Sequence, residues 1–179
     1  MLKRRALYLL ALVLFPISQV SSSAFSYVLT EDNLRLSGSL ALTTIDYQQK
    51  KANQLFWKGS FDYFLKDRIS ISGVAYLPLY DGHKALDQSY LGLGGNLHLL
   101  KFNRIEVFTG ATAGFAIVNP GGLPRKALNA LEFGVGAVLY DSFFHLLAEV
   151  NYRRSEYYAG SQFIELNQLL YSMGMGFHF

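Results

Sequence analysis

The stretch "YSMGMGFHF", residues 171–179, alternates between two kinds of side chain up to the last residue of the chain. Every second position is large and apolar, namely Tyr171, Met173, Met175, Phe177 and Phe179, and the intervening positions are Ser, Gly, Gly and His. A period of two residues is typical of a β-strand whose faces meet different environments. We therefore predict a strand that continues to Phe179, where soluble domains commonly fray into polar residues.

Residues 1–24 have the composition of a secretory signal peptide. A cationic start, "MLKRR", precedes the uncharged run "ALYLLALVLF", and "SSA" at 22–24 supplies the small residues that a signal peptidase needs. The run is too short to span a bilayer. We expect an exported chain with a short periplasmic tail at residues 25–33 and one transmembrane barrel domain at residues 34–179.

The charge balance excludes a nucleic-acid-binding protein. The chain has 16 Lys and Arg against 13 Asp and Glu, but three of these cations lie in the signal peptide, which leaves 13 against 13. A formally neutral mature chain does not attract a polyanion over long distances. Because the sequence contains no cysteine, disulfides and thiol chemistry are also excluded.

The apolar content indicates a membrane barrel. Hydrophobic residues make up 51% of the chain and aromatic residues 15%, yet after residue 24 no apolar run approaches the roughly 20 residues of a membrane helix. Only a closed β-barrel would place such a chain across a bilayer.

Alternating segments recur along the rest of the sequence, with short and long connections in turn. Eight of them begin near Leu34, Leu55, Ile69, Ser89, Arg104, Asn129, Phe143 and Phe163. The short connections are "KDR", "KFN" and "YDS"; the long ones are "DYQQKKANQ", "DGHKALDQ", "NPGGLPRKAL" and "RRSEYYAGSQ". Tight turns at one rim and longer loops at the other predict an all-β fold, an eight-stranded antiparallel up-and-down transmembrane β-barrel.

The composition of the two strand faces distinguishes a membrane barrel from a soluble one. Along the apolar face the only charge is Glu165, as lipid exposure demands. A secreted lipocalin-like barrel also has one apolar and one polar face. Here the polar face is rich in Ser and Gly and poor in Lys and Glu, which suits a narrow lumen better than a water-facing surface.

Aromatic residues on the apolar face fall at two heights, which predicts an outer and an inner girdle. The outer group is Trp57, Phe115, Phe133 and Tyr152, and the inner group is Phe61, Tyr63, Phe144, Phe177 and Phe179.

With its signal peptide, strand pattern and terminal aromatic series, the chain resembles the small outer-membrane β-barrel proteins of Gram-negative bacteria, the group of outer-membrane proteins A, X and W. The resemblance implies insertion into the outer membrane. It also implies that the series Tyr171, Met173, Met175, Phe177 and Phe179 is the insertion signal that the barrel assembly machinery reads.

Charged residues on the inward face predict a polar network in the lumen, because an unpaired buried charge is costly. Its predicted members are Arg35, Lys58, Asp62, His98, Arg104, Glu106, Glu132 and Glu149. A hairpin centred on Phe102 places His98 opposite Glu106, which resembles a carboxylate that orients an imidazole for acid-base catalysis. We interpret this pair as structural, because a filled lumen admits no substrate. We expect no cofactor and no metal, since the spacing of His98, His145 and His178 is not a ligand motif.

Two patterns known from enzymes of this size that act on lipid A are missing. The deacylases carry a His and a Ser two residues apart on a lipid-facing strand, and no His of this chain has a Ser at that offset. The palmitoyltransferases use a loop His with an Asp-Ser pair, and the only such pair, Asp141-Ser142, falls in a short turn. We therefore predict that the chain is not an enzyme. Glu165, Asn167 and Ser161 are the polar groups nearest to a lipid-facing site.

Basic residues cluster in the predicted outer loops. Lys50, Lys51, Arg125, Lys126, Arg153 and Arg154 could contact lipopolysaccharide phosphates, which Lys and Arg bind well. The alternative interpretation, solvated loop charge, stays open.

The sequence thus predicts a monomeric outer-membrane barrel with no open pore and a structural or interactive role in the envelope. Its expected partners are membrane lipid, lipopolysaccharide and the assembly machinery. Two other functions stay open: a lipid A-modifying enzyme, and a conduit for small hydrophobic molecules with a cavity lined by Tyr76, Tyr90 and Phe108.

Overall fold

A computed structural model of the chain describes residues 33–47, 50–81, 86–120, 126–159 and 162–179. These residues form eight antiparallel strands that pair in sequence order and close into one barrel. The strands are β1 (Leu34–Tyr47), β2 (Lys50–Lys66), β3 (Ile69–Asp81), β4 (Leu86–Phe102), β5 (Ile105–Pro120), β6 (Lys126–Asp141), β7 (Phe144–Ala159) and β8 (Gln162–His178). The predicted fold class is confirmed. Residues 1–32, with the predicted signal peptide and most of the tail, lie outside the described residues.

None of the described residues forms a helix that is long and apolar enough to cross a membrane.

The barrel closes through its first and last strands. Residues 35–43 of β1 pair with residues 170–178 of β8. Beyond this ladder, Leu34 N–H donates to the Phe179 carbonyl at 3.0 Å, and Phe179 N–H donates to the Leu34 carbonyl at 2.9 Å. The last residue of the sequence is therefore part of the seam, and the edges of both strands are paired.

The two strand faces separate as the alternation predicts. Large apolar side chains cover the exterior, where Leu91 and Phe115 are more than 60% exposed. The lumen holds the small and polar side chains, together with buried aromatic residues such as Phe56, Phe64 and Tyr76. An apolar outside and a polar inside is the reverse of a soluble barrel, and it suits a wall immersed in lipid.

The strands reach further toward the long-loop end than the sequence predicts. We expected β2, β4 and β6 to begin near Leu55, Ser89 and Asn129, but they begin at Lys50, Leu86 and Lys126. The added residues, "KKANQ" at 50–54, "LDQ" at 86–88 and "KAL" at 126–128, do not continue the apolar and polar alternation, although they belong to the hydrogen-bonded ladder. The residues between the strands at this end, 48–49, 82–85, 121–125 and 160–161, lie outside the described part of the chain.

The other end of the barrel carries two-residue turns, at positions 67–68, 103–104 and 142–143. Asn103 and Ser142 adopt positive φ angles of 52° and 35°. Asn tolerates this left-handed region better than most residues, which makes tight reversals between paired strands possible.

Candidate functional site

The lower lumen, nearest the short turns, is organised around Arg35. Its guanidinium donates to Asp62 Oδ2 at 2.9 Å from Nε and to Glu106 Oε1 at 2.8 Å from Nη1. The same Nη1 lies 2.8 Å from the Tyr140 hydroxyl, which itself donates to Glu106 at 3.1 Å. Asn96 donates to the other oxygen of Asp62 at 2.6 Å. The five strands that carry these groups are thereby joined across the barrel through buried, charge-assisted hydrogen bonds.

His98 joins this network between a hydroxyl and a carboxylate. Its Nδ1 lies 2.8 Å from Glu106 Oε1, and its Nε2 lies 3.0 Å from Ser70 Oγ. All three side chains are at most 2% exposed. The arrangement has the connectivity of a Ser-His-carboxylate triad, but Phe64 stacks on the imidazole with 4.5 Å between ring centroids. Ser70 is 1% exposed and does not line the cavity in the lumen, so a structural role fits the geometry better than catalysis.

The predicted register of this hairpin is wrong. A bulge between His98 and Leu100 places His98 opposite Phe108, and Glu106 lies opposite Lys101. The imidazole therefore reaches Glu106 diagonally. The bulge also turns Lys101 toward the lumen, where its ammonium lies 3.9 Å from Glu106 and 5.1 Å from the centre of the Phe64 ring.

The middle of the lumen holds a second ion pair. Lys58 on β2 donates to Glu149 on β7, and Ser172 donates to the same carboxylate at 3.0 Å. Lys58 is 3% exposed, so the pair is shielded from solvent.

Arg153 forms a third ion pair in the upper lumen, and here the sequence-based assignment is wrong. We predicted a loop residue in contact with lipopolysaccharide, but Arg153 is fully buried and donates to Glu132 Oε2 from Nε at 2.9 Å and from Nη2 at 2.6 Å. Its guanidinium lies 4.1 Å from the ring centres of both Tyr76 and Tyr90. The longer β7 explains the error, because odd-numbered residues of this strand face inward up to Ser155. The available signal was the two-residue period itself. Continued past Tyr152, which faces outward, it places Arg153 inward and Arg154 outward.

Two layers of apolar side chains pack around these ion pairs in the lumen. The lower layer consists of Phe64, Phe108, Val138, Tyr140 and Leu147. The upper layer includes Phe56, Val118, Leu128, Leu166 and Leu170. Between them lies a cavity of about 40 Å³, room for two or three water molecules at about 15 Å³ each. The Arg35 network and the Lys58–Glu149 pair both reach this cavity, since Asp62, Asn96, Lys58 and Glu149 line it.

The cavity that a conduit would require is not where we expected it. Tyr76, Tyr90 and Phe108 are at most 4% exposed, and the two tyrosines enclose Arg153. Tyr76 donates to Glu132 at 2.9 Å, and Tyr90 is hydrogen-bonded to Thr112 at 2.8 Å. Packing and hydrogen bonding thus hold both rings inside the filled lumen.

Arg104 does not join the lumen network. It lies in the two-residue turn at 103–104, is partly exposed, and pairs with Asp141 at 3.1 Å at the rim of the barrel. The contacts above bring the other predicted members together in the lumen, namely Arg35, Lys58, Asp62, His98, Glu106, Glu132 and Glu149. Among the described residues, no group of three or more His, Asp or Glu side chains is arranged to hold a metal ion.

The predicted lipopolysaccharide contacts fall in different places. Lys50, Lys51 and Lys126 lie in strand extensions whose side chains are outside the description, and Arg125 lies outside the described residues. Arg154 faces outward and is 48% exposed. The apolar side chains of the proposed insertion signal, from Tyr171 to Phe179, all point outward and are at least 53% exposed.

No protein-family model matches the sequence, and no curated protein matches it significantly. Solved structures do match. Neisserial surface protein A has a TM-score of 0.60 at 15% identity, over 82% of this chain and 97% of that one. The N-terminal β-barrel domain of Pseudomonas aeruginosa OprF has a TM-score of 0.59 at 14% identity, over 84% and 100%.

A third similar structure is Ail, the attachment invasion locus protein of Yersinia pestis, in complex with the heparin analogue sucrose octasulfate. It has a TM-score of 0.55 at 14% identity, over 83% of this chain and 99% of that chain. At these identities the likeness concerns the fold. The chain therefore has the fold of the eight-stranded outer-membrane β-barrels of Gram-negative bacteria.

Proposed function

We propose that this chain is an integral outer-membrane protein with a structural or interactive role, in which the barrel is a sealed anchor and the outer surface makes the functional contacts. The observation that carries this proposal is the filled lumen. Three buried cations paired with four carboxylates, two apolar layers and a remaining cavity of about 40 Å³ leave no continuous path through the described barrel. Transport through the lumen would require these buried charges to separate, which is costly in a low-dielectric interior.

Lipopolysaccharide is the proposed partner at the outer rim. The cationic candidates for phosphate contacts are Lys50, Lys51, Arg125 and Lys126, whereas Arg154 already pairs with Glu156 and Glu165. Ail was solved with a bound polysulfated sugar, so a barrel of this fold can present a surface to such a ligand. Charge-assisted hydrogen bonds from Lys and Arg would recognise the phosphates of lipopolysaccharide in a similar way. Arg153 is excluded, because its guanidinium is buried against Glu132.

The enzyme and conduit alternatives are less well supported. The only Ser-His-carboxylate arrangement that we find among the described residues, Ser70, His98 and Glu106, is buried, and its serine does not line the lumen cavity. A conduit would need a cavity beside Tyr76 and Tyr90, where Arg153 fills the lumen. We also propose that the barrel is a monomer and that the assembly machinery inserts it.

Planar-bilayer recording of the folded protein tests the sealed anchor. We expect no ion-conducting steps, and a large open porin inserted under the same conditions serves as the positive control. Steady conductance from the folded barrel would contradict the proposal. Mass spectrometry of lipid A from cells with and without the gene tests the enzyme alternative, for which we expect identical acylation and headgroup composition.

A further inference from the structure

One side of the outer wall carries ionic residues at a height where β3 and β5 are apolar. Arg154 lies ten residues along β7 from Phe144, which is about 25 Å above the short turns for a strand tilted by about 40°. The outward residues ten positions along β3 and β5 are Leu79 and Phe115, and both are more than half exposed. Because the apolar band of such barrels is about 25 Å tall, Arg154 lies at the boundary between acyl chains and headgroups.

The ionic residues are linked to each other. We call Tyr152, Arg154, Glu156, Glu165 and Asn167 the outer-wall patch. Arg154 Nε lies 2.7 Å from Glu156 Oε1, and its Nη2 lies 3.4 Å from Glu165 Oε2. Asn167 donates to Glu165 at 2.7 Å and accepts from the Tyr152 hydroxyl at 2.7 Å. One cation and two carboxylates give this patch a formal charge of −1.

The sequence did not predict this patch, although Glu165 and Asn167 were recognised as polar groups near the rim. The missing information was the length of β7, which brings Arg154 and Glu156 onto the same face as those residues. The cross-strand register then pairs Arg154 with Asn167, and Glu156 with Glu165.

An apolar groove adjoins the patch. It has a volume of about 510 Å³ and lies between β5, β6 and β7. Ala113, Phe115 and Leu131 form its apolar wall, while Arg154 and Glu156 form its polar rim. The combination is amphipathic, with hydrogen-bonding groups directly beside a surface that fits a hydrocarbon chain.

A second groove, on the opposite side of the barrel, has an apolar wall without an ionic rim. Its volume is about 520 Å³, and it is lined by residues of β1 to β4 and β8, among them Gly38, Trp57, Ala75 and Leu93. No charged residue is among the described residues that line it. The ionic rim is therefore a feature of the first groove and not of every apolar groove on the barrel wall.

We propose that the outer-wall patch and its groove bind one molecule of an outer-leaflet glycolipid, with sugar hydroxyls on the patch and one acyl chain in the groove. This inference rests on the proposed function and names the ligand of one part of the surface. Hydroxyl groups can donate to Glu156 and Glu165 and accept from Arg154, so all three are used. A phosphate group is disfavoured here, because two carboxylates share the single guanidinium.

Native mass spectrometry of the folded protein released from lipid nanodiscs tests this inference. The nanodiscs contain lipid A, dephosphorylated lipid A or phosphatidylglycerol as the probe in a phosphatidylethanolamine background. We expect one retained molecule of lipid A, comparable retention of the dephosphorylated form, and weak retention of phosphatidylglycerol.

Two variants and one matched control locate the site. Ala113→Leu fills the groove, and the double variant Glu165→Leu with Asn167→Leu removes two polar groups of the patch while Arg154 and Glu156 stay paired. Each should reduce lipid A retention about five- to tenfold, the effect of losing about one net hydrogen bond or an equivalent apolar contact. Ala75→Leu fills the opposite groove and should leave retention unchanged. Unchanged heat-modifiable migration on gels verifies that each variant is folded.

Three results would overturn the inference: equal losses in Ala75→Leu and Ala113→Leu, loss of retention on removal of the phosphates, or equal retention of phosphatidylglycerol. The proposed function fails by a different measurement, since a conducting barrel contradicts it whatever lipid is retained. A silent barrel without lipid preference would remove only this inference.

Discussion

Lys58 illustrates how a charged residue is held inside the barrel. Its ammonium pairs with Glu149 across the lumen and lies 5.4 Å from the centre of the Tyr76 ring. Desolvation of a charge costs several kcal/mol, which the partner and the neighbouring dipoles offset. Removal of one partner therefore costs more than the pair contributes, because a buried charge remains without compensation.

The substitution Lys58→Met should lower the free energy of unfolding by about 3–5 kcal/mol, since it leaves Glu149 buried without its cation. Urea titration of the folded barrel in detergent, followed by the gel shift of the heat-modifiable form, measures the change. Lys66→Met on the same strand is the control, because Lys66 is exposed at the end of β2. The double variant Lys58→Met with Glu149→Gln should recover part of the loss. Equal stability of Lys58→Met and Lys66→Met would refute the lumen network.

The Ser70, His98 and Glu106 arrangement should be chemically silent. A fluorophosphonate probe that labels activated serines should leave the folded protein unmodified, because Ser70 is 1% exposed and the Phe64 ring covers its partner His98. Ser70→Ala should lower the free energy of unfolding by about 1–3 kcal/mol, the usual effect of removing one buried hydrogen-bond partner. Labelling of Ser70 that disappears in His98→Ala would favour the enzyme alternative.

At the scale of elements, the seam between β1 and β8 depends on small residues that face inward. A Cβ at Gly176 would lie 1.8 Å from the Leu36 carbonyl oxygen of the neighbouring strand, and backbone cannot yield as a side chain does. At Gly38, on the outward face of the same seam, the nearest atom to a Cβ would be Trp57 Nε1 at 3.8 Å.

Gly176→Ala should therefore weaken or prevent closure of the barrel, whereas Gly38→Ala should be tolerated. The fraction of refolded protein with the fast-migrating, heat-modifiable form on gels measures closure. Indistinguishable refolding of the two variants would show that the seam is looser than the Leu36–Gly176 approach indicates.

The last residue should matter for assembly more than for stability. The backbone of Phe179 pairs with Leu34, but its side chain is 70% exposed on the outer face. Phe179→Ala should change the stability of the refolded barrel in detergent by less than about 1 kcal/mol, while assembled protein in cells falls several-fold. Leu93→Ala, at a similarly exposed position on β4, is the control. Normal assembly of Phe179→Ala would contradict the proposed insertion signal.

The elements were largely predictable because lipid and lumen make opposite demands on successive residues of every strand. The prediction failed where that contrast vanishes. Above the apolar belt the outward face carries polar residues such as Arg154, and the inward face mixes Arg153 with apolar Leu128 and Leu166. The ends of β2, β6 and β7 and the inward direction of Arg153 were therefore missed. The bulge near Leu99 was also missed, because Leu99 and Leu100 are both apolar and both exposed. Ion-pair partners such as Lys58 and Glu149, 91 positions apart, follow only from the closed register.

At the scale of the whole molecule, the assignment of the apolar face to lipid can be tested by position along one strand. Leu40 and Leu36 both point outward from β1, with 53% and 43% exposure. Leu40 lies six residues from the start of the strand and Leu36 lies two, so they are about 15 Å and 5 Å above the barrel end. In water the two sites would be equivalent, whereas a bilayer makes the deeper position more costly for a charge.

Leu40→Arg should lower the free energy of unfolding by about 2–4 kcal/mol in lipid vesicles, and Leu36→Arg by about 0–1 kcal/mol, because the guanidinium near the interface reaches water. Reversible guanidinium unfolding in thin phosphatidylcholine vesicles measures both values. In detergent micelles the difference between the two variants should shrink, since a micelle has no fixed hydrocarbon thickness. Equal values in vesicles would mean that depth along β1 does not correspond to depth in a membrane, and the lipid-facing assignment of the barrel wall would have to be withdrawn.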